Sequence, residues 1–353
     1  MITVVYGTRP EAIKLSSVVT ALRARGADVW VICTGQHHEL LDGFNLTPDV
    51  SLELMQPDQD LSDFVARAMQ VLSAQLKGAQ QLVVQGDTAT ALAATLAAFH
   101  LRVPIAHVEA GLRTHRLDSP FPEEGYRQII DRLASRLYAP TETAMENLFH
   151  EGVSGIRRSL LTGNPGIDAA LSVPTNTTVA AAGKWAGNPF ALVTVHRREA
   201  FGEPLKAIVR AIKRISHSIT VVWPVHPNPH VREVVANELG HVANVHLIDP
   251  LPYSELIATL RRARFVITDS GGIQEEAPTF GIPALVVREV TERPEAIFAD
   301  ASVLVGFDED KIVRYAMWLC KNSDYYQKMA VPRMLYGDGH AGERIAKDLL
   351  GVS

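Results

Sequence analysis

The sequence predicts an α/β protein made of two Rossmann-like domains facing a central cleft, and three observations lead there. Short Val/Ile-rich runs alternate with amphipathic stretches over almost the whole 353-residue chain. That is the pattern of a parallel sheet with helices on both faces. The alternation breaks once, at residues 172–189 (SVPTNTTVAAAGKWAGNP), a stretch without a strand-like run and rich in Ala, Gly, Pro, Thr and Asn. The chain is also long for one hydrophobic core.

In chain order, strands are expected at Ile2–Tyr6, Asp28–Thr34, Gln81–Gln85, Ile105–Val108 and Leu137–Tyr138. Helical periodicity fills gaps between them, as over Leu61–Leu76 and Thr88–His100. After the break come strands Phe190–Val195, Ile219–Pro224, Val245–Ile248, Phe265–Thr268 and Ala284–Val287, with a helix starting at Glu203. The expected organisation is a first domain over residues 1–171, a linker over 172–189 and a second domain over 190–339. Residues 340–353 form a terminal segment whose helix, Ala341–Leu350, is expected to pack back on the first domain. Ligands in such folds collect at the carboxyl ends of the strands, so chemistry is sought just after them.

Composition narrows the class. A hydrophobic fraction of 47% with 21% charged residues describes a globular chain. The formal charge of −5, with no long basic run, argues against a nucleic-acid binder. The two cysteines, Cys33 and Cys320, sit in apolar surroundings, which favours buried thiols over a bridge or a metal site. The N-terminus has no signal-peptide pattern, and no apolar run reaches membrane-spanning length. A cytoplasmic protein without a membrane partner is expected.

The first strand runs into Gly7-Thr8-Arg9-Pro10-Glu11. Thr8 and Glu11 read as a capping box and Pro10 as a first-turn residue. Arg9 is left over: a guanidinium opposes the dipole at a helix start, unless an anion binds there. Asp87 follows the strand Gln81–Gln85 and by itself reads as a helix cap. Glu109 leaves the next strand in His107-Val108-Glu109-Ala110-Gly111, and Pro122 leads into Glu123-Glu124. Acids gathered at neighbouring strand ends raise one another's pKa values and are costly unless used.

In the second half, His196-Arg197-Arg198-Glu199 and His226-Pro227-Asn228-Pro229 follow successive strands. Each reads either as a charged turn or as a histidine placed for chemistry. Asp269-Ser270-Gly271-Gly272-Ile273-Gln274-Glu275-Glu276 is more specific. A strand stops, two glycines allow close backbone approach, and the free N–H groups of a starting helix favour a phosphate. Glu276, one turn into that helix, suits ribose hydroxyls. No His/Cys/Asp cluster has metal-ligand spacing.

The set GTRPE, QGDT, HVEAGLRT, PEE, HRRE, PVHPNP, TDSGGIQEEAP and TERPEA, from Gly7 to about Gly339, resembles the bacterial non-hydrolysing UDP-N-acetylglucosamine 2-epimerases. The resemblance implies the glycosyltransferase B-type fold, a homodimer, and interconversion of UDP-GlcNAc and UDP-ManNAc without cofactor or metal. It places catalytic carboxylates on Asp87, Glu109 and Glu123, and a histidine near the diphosphate on His196. UDP contacts fall on Arg9, His196, Ser270, Gly271, Gly272 and Glu276. A second, activating UDP-GlcNAc would touch Gln36, Glu39, Arg67, Glu124, Arg197 and His226. The sequence departs from the family at Glu123-Glu124-Gly125-Tyr126-Arg127, which lacks the usual asparagine, and at Gly163-Asn164-Pro165-Gly166-Ile167-Asp168. Thr34-Gly35-Gln36-His37-His38 resembles relatives acting on 2,3-diacetamido sugars.

The C2 hydrogen of the sugar is not adjacent to a carbonyl, so breaking the anomeric C–O bond first is the chemically accessible route. The expected mechanism is anti elimination of UDP to a 2-acetamidoglucal and re-addition, with one acid/base group for each face of C2. Three other readings share the motifs: a 2-epimerase of a related sugar such as UDP-2,3-diacetamidoglucose, a B-type-fold retaining glycosyltransferase, and a hydrolysing 2-epimerase. A catalytically inert nucleotide-sugar sensor is a fourth, against which the full set of acids argues.

Overall fold

Val4, Val5, Val83 and Val84 in the first half, and Val221, Val222, Val266 and Ile267 in the second, are completely buried. Strands covered on both faces in this way belong inside a parallel sheet. The computed structural model, which describes residues 1–35, 46–55, 59–153, 158–185 and 187–352, shows two such sheets. They lie in separate units, residues 1–172 with 336–353, and residues 173–335. The two Rossmann-like domains predicted from the alternation are present.

The first unit has seven parallel strands: β1 (Ile2–Tyr6), β2 (Val29–Cys33), β3 (Val50–Ser51), β4 (Gln81–Gln85), β5 (Ile105–Val108), β6 (Arg136–Ala139) and β7 (Arg158–Leu161), in the order β3-β2-β1-β4-β5-β6-β7. The second has six: β8 (Phe190–Thr194), β9 (Thr220–Pro224), β10 (Val245–Ile248), β11 (Phe265–Thr268), β12 (Ala284–Val286) and β13 (Ser302–Leu304), in the order β10-β9-β8-β11-β12-β13. Strand order therefore reverses between β1 and β4, and again between β8 and β11. Crevices at such reversals are where this architecture binds ligands. The edge strands β3, β7 and β13 escaped the sequence reading because they are short, and β7 is exposed at both ends.

In the first unit, Leu15, Val18, Val19 and Leu22 of the helix Arg9–Ala24 cover one sheet face together with Ile345 and Ala346. Phe64, Ala68 and Leu72 pack on the other face with the alanine-rich helix Ala89–His100. The chain end is fixed in this unit. The Asp168 carboxylate accepts the Ala341 and Gly342 amides at 3.1 and 2.7 Å, starting the helix Ala341–Leu350. At its far end the buried Asp348 meets Arg136 (3.0 Å), Arg158 (2.5 Å) and the Tyr138 hydroxyl (2.9 Å).

Residues 173–185 are tied to the second unit. Arg261 donates to the Val173 carbonyl (2.7 Å), and the Ala180 amide donates to Glu255 (3.0 Å). Trp185 meets the Phe190 ring at a centroid distance of 6.3 Å. Among the described residues no helix is long and apolar enough to cross a membrane.

Candidate functional site

Both strand-order reversals are lined by the motifs that the sequence singled out. In the first unit, β1 is followed by Gly7, and the helix Arg9–Ala24 begins with Thr8 as its cap, its capping box completed by Glu11. Glu11 is 1% exposed and accepts from the Gly7 and Thr8 amides (3.2 and 2.8 Å), the Thr8 hydroxyl (2.6 Å) and the Thr88 hydroxyl (2.8 Å). It therefore joins the loop after β1 to the loop after β4. Gly7 is required by closeness: a Cβ there would lie 2.2 Å from the Thr90 hydroxyl.

Burial lifts the Glu11 carboxyl from the usual range to about 7, although all four donors oppose the rise. A carboxyl whose pKa is raised in the folded state contributes stability that is complete below its unfolded value near 4.5. That contribution is lost as pH climbs through about 7. Thermal melts between roughly pH 5 and 8 should show this decline in the wild type and a flatter profile in Glu11→Gln. Equal slopes in the two proteins would exclude Glu11 as the source.

Glu109 follows β5 with φ of +70°, a conformation that non-glycine residues seldom adopt. The Glu109 and Ala110 amides both donate to the Tyr138 carbonyl at 3.0 Å, which fixes the turn. The buried side chain accepts from Lys14 (2.7 and 2.8 Å), Asn164 (3.0 Å) and Gln85. These partners are donors, one of them cationic, so they favour the ionised carboxylate. Asp87, after the neighbouring β4, accepts from the Arg127 guanidinium at 2.5 and 3.0 Å. Adjacent pairing of β4 and β5 brings Asp87 and Glu109 to the same end of the sheet.

Glu123 opens the helix Glu123–Leu133, which also carries Arg127 and Asp131. Spacings of four put these three on one face. Glu124 is fully buried instead: it accepts the Thr114 and His115 amides (3.0 and 3.1 Å), Gln128 (2.9 Å) and Arg127 (3.2 Å). This carboxylate holds a loop together. Arg9 and Arg67 are partly exposed on separate helices of the unit, while Gln36 and Glu39 lie outside the described residues.

In the second unit Asp269 organises both loops at the reversal. It is completely buried, and one carboxylate oxygen accepts the His196 and Arg197 amides at 2.8 Å each. His196 Nδ1 lies 3.0 Å from the other oxygen. Burial would push this carboxyl up, but His196 and the two amides outweigh it and hold Asp269 below the usual range. An ionised Asp269 thus fixes the His196 ring, which stacks on His226 at a centroid distance of 6.1 Å. His226 Nδ1 in turn accepts the Asn228 amide (3.2 Å). Arg197 lies 3.7 Å from Glu199 and 3.9 Å from Glu292.

Ser270 precedes the helix Gly271–Thr279 and makes no side-chain cap bond. A Cβ on Gly271 would lie 2.8 Å from the Arg293 guanidinium, whereas one on Gly272 would meet, among the described residues, only Glu276 Oε1, at 3.8 Å. Glu276 is 6% exposed and accepts the Tyr253 hydroxyl at 2.6 Å. Behind the turn, Arg293 is paired with Glu275 (2.5 Å) and Glu292, and Arg288 with Glu292 (2.9 Å). Among the described residues no group of three or more His, Cys, Asp or Glu side chains is arranged to hold a metal ion.

Asp87, Glu109 and Glu123 thus share the first unit, and His196, Ser270, Gly271, Gly272 and Glu276 share the second. Sequence reasoning gave no role to Lys14, Gln85, Arg127, Asn164, His107, Asp131 or Tyr253. A signal existed for Lys14, a cation inside the apolar run Ala12-Ile13-Lys14-Leu15. The others became visible only through their partners.

A family profile described as UDP-N-acetylglucosamine 2-epimerase matches residues 20–350. The Escherichia coli (strain K12) UDP-N-acetylglucosamine 2-epimerase is 44% identical over 98% of this chain and 97% of that protein. The solved Neisseria meningitidis UDP-GlcNAc 2-epimerase bound to UDP-GlcNAc superposes with a TM-score of 0.93 at 37% identity, covering 99% of both chains. The S. aureus MnaA–UDP complex superposes with a TM-score of 0.93 at 37% identity, covering 100% of this chain and 97% of that one.

Proposed function

The chain belongs to the UDP-N-acetylglucosamine 2-epimerase family, and from that premise we propose that it interconverts UDP-GlcNAc and UDP-ManNAc without hydrolysis. The observation that carries this reading is the pair of Asp87 and Glu109 on adjacent strand ends, each already oriented by cationic partners. A homologous fold solved with UDP-GlcNAc supports the substrate.

Chemistry is divided between the two units. Ser270, the Gly271 and Gly272 amides, Arg9 and His196 stabilise the departing diphosphate, and Glu276 takes the ribose hydroxyls. The C1–O bond breaks with its electron pair leaving on UDP, and a base removes the C2 proton, which leaves 2-acetamidoglucal. Protonation of C2 from the opposite face and re-addition of UDP at C1 give the epimer. Asp87, Glu109 and Glu123 supply the proton transfers. The ionised Asp269 fixes the His196 ring through Nδ1, which leaves Nε2 for the diphosphate. Family resemblance adds the expectation that the enzyme works as a homodimer and that UDP-GlcNAc also activates it.

Incubating the protein with UDP-GlcNAc in D2O tests the reaction. Deuterium should appear at C2 of UDP-ManNAc and of recovered substrate, with no accumulation of free sugar. An epimer that keeps its original C2 hydrogen would sink the elimination route, and release of free ManNAc would replace the non-hydrolysing reading.

A further inference from the structure

His107 belongs to none of the groups proposed above to touch substrate, yet it sits between two that do. It is completely buried in β5, two residues before Glu109. Its Nδ1 lies 2.5 Å from Asp131 Oδ1, and its Nε2 lies 2.8 Å from the carbonyl oxygen of Gly86, the residue before Asp87. Asp131 is completely buried as well; its other oxygen accepts the Gly111 amide (3.1 Å) and pairs with Arg113 (2.8 Å). Arg113 continues to Glu151 at 2.7 Å.

A carbonyl can only accept a hydrogen bond, and so can an ionised carboxylate. Burial would raise the Asp131 carboxyl, but His107 and Arg113 more than offset it, so the group stays charged. Nε2 of His107 faces a carbonyl oxygen and must therefore carry hydrogen, while Nδ1 faces Asp131. Arg113 is buried between Asp131 and the partly exposed Glu151, so the Asp131 carboxylate has a partner on each side. Such a closed pairing is what makes buried charge tolerable.

We propose that His107 is a positioning residue: an imidazole, held by Asp131, whose Nε2–H fixes the Gly86 carbonyl and with it the placement of Asp87. The same Asp131 secures Gly111, two residues beyond Glu109, so one buried pair sets both loops that carry these carboxylates. Gly111 lies close against the next helix, and only glycine fits there, because a Cβ would lie 2.2 Å from the Ala144 carbonyl oxygen. The helix Glu123–Leu133 supplies both restraints on Asp87, through Arg127 to its side chain and through Asp131 and His107 to its backbone.

The kinetic part of this proposal rests on the epimerase reading, and the test separates the two. In His107→Gln, one amide replaces a ring that reaches both Asp131 and Gly86, so kcat should fall about 10–100-fold, the range for lost orienting contacts and small misplacements. KM for UDP-GlcNAc and Kd for UDP should stay within about threefold, since the proposed UDP contacts lie chiefly in the other unit. Amide exchange at Gly86, Asp87 and Gly111 should accelerate in His107→Gln and in Asp131→Asn, whichever of the two folds better. Nitrogen-15 spectra of histidine-labelled wild type should show Nε2 of His107 as N–H. A His107 without hydrogen on Nε2, or a folded variant with unchanged kcat and unchanged exchange, would overturn the proposal. If wild type does not epimerise UDP-GlcNAc, the reaction is misassigned, and the spectra and exchange still decide what His107 does.

Discussion

Asp87→Asn is expected to lower kcat by about 10²–10⁴-fold, the contribution of one general acid/base group, while UDP binding stays within about threefold of wild type. The asymmetry follows from where the residues lie. Asp87 belongs to the first unit and is held by Arg127 at 2.5 and 3.0 Å. The residues proposed for the diphosphate and ribose, Arg9 excepted, belong to the second. An asparagine keeps the shape of the side chain and can still accept from Arg127 through its carbonyl oxygen, so the loop geometry should survive. The Asp87 side chain is 28% exposed but its Arg127 partner is buried, so weakening this charged hydrogen bond should cost about 1–3 kcal/mol of stability. A catalytic effect of several kcal/mol beside a stability effect of that size cannot be misfolding. Stopped assays of the epimer with calorimetric titration of UDP would check both halves. A kcat within tenfold of wild type would remove Asp87 from the proton transfers.

The sheets were legible because buried parallel strands carry their own signature, as in Thr3-Val4-Val5-Tyr6 and Phe265-Val266-Ile267-Thr268. The edge strand Val245–Ile248 was legible too, but the edge strands Val50-Ser51 and Arg158-Ser159-Leu160-Leu161 were not: they pair on one side only and have no continuous apolar run. In the site, residues at strand ends could be read because position implies access. Asp87, Glu109, His196 and Ser270 all have that address. Residues that act through another side chain lack it. Asn164 reaches Glu109 across 55 positions, and Asp131 reaches His107 from a helix whose sequence reads as an ordinary amphipathic face. Glu123 and Glu124 show the limit from the other side. Adjacent glutamates look equivalent in sequence, yet successive helical positions point about 100° apart, and only Glu124 is fully buried.

The two glycines of the Ser270-Gly271-Gly272 turn should respond in opposite ways to alanine, and the contrast tests the proposed diphosphate site. At Gly271 a Cβ would lie 2.8 Å from the Arg293 guanidinium. Arg293 cannot give way cheaply, being 6% exposed and paired with Glu275 and Glu292. Gly271→Ala should therefore destabilise the protein by about 1–3 kcal/mol, the range for overpacking, with a lower Tm. At Gly272 the protein itself presents no obstacle among the described residues, since Glu276 Oε1 at 3.8 Å is an ordinary contact. An alanine in that first helical turn should be neutral or stabilising, by up to about 1 kcal/mol. What a methyl group there would obstruct is a diphosphate seated on the turn's amides. Displacing it by a fraction of an ångström at about 1–3 kcal/mol translates into about 5–140-fold weaker UDP binding, at 1.4 kcal/mol per decade. Gly272→Ala should thus raise or preserve Tm while weakening UDP, a combination that general damage to the domain does not produce. Wild-type UDP affinity in Gly272→Ala would move the diphosphate off this turn, and Arg9 and His196 would then have to hold it elsewhere.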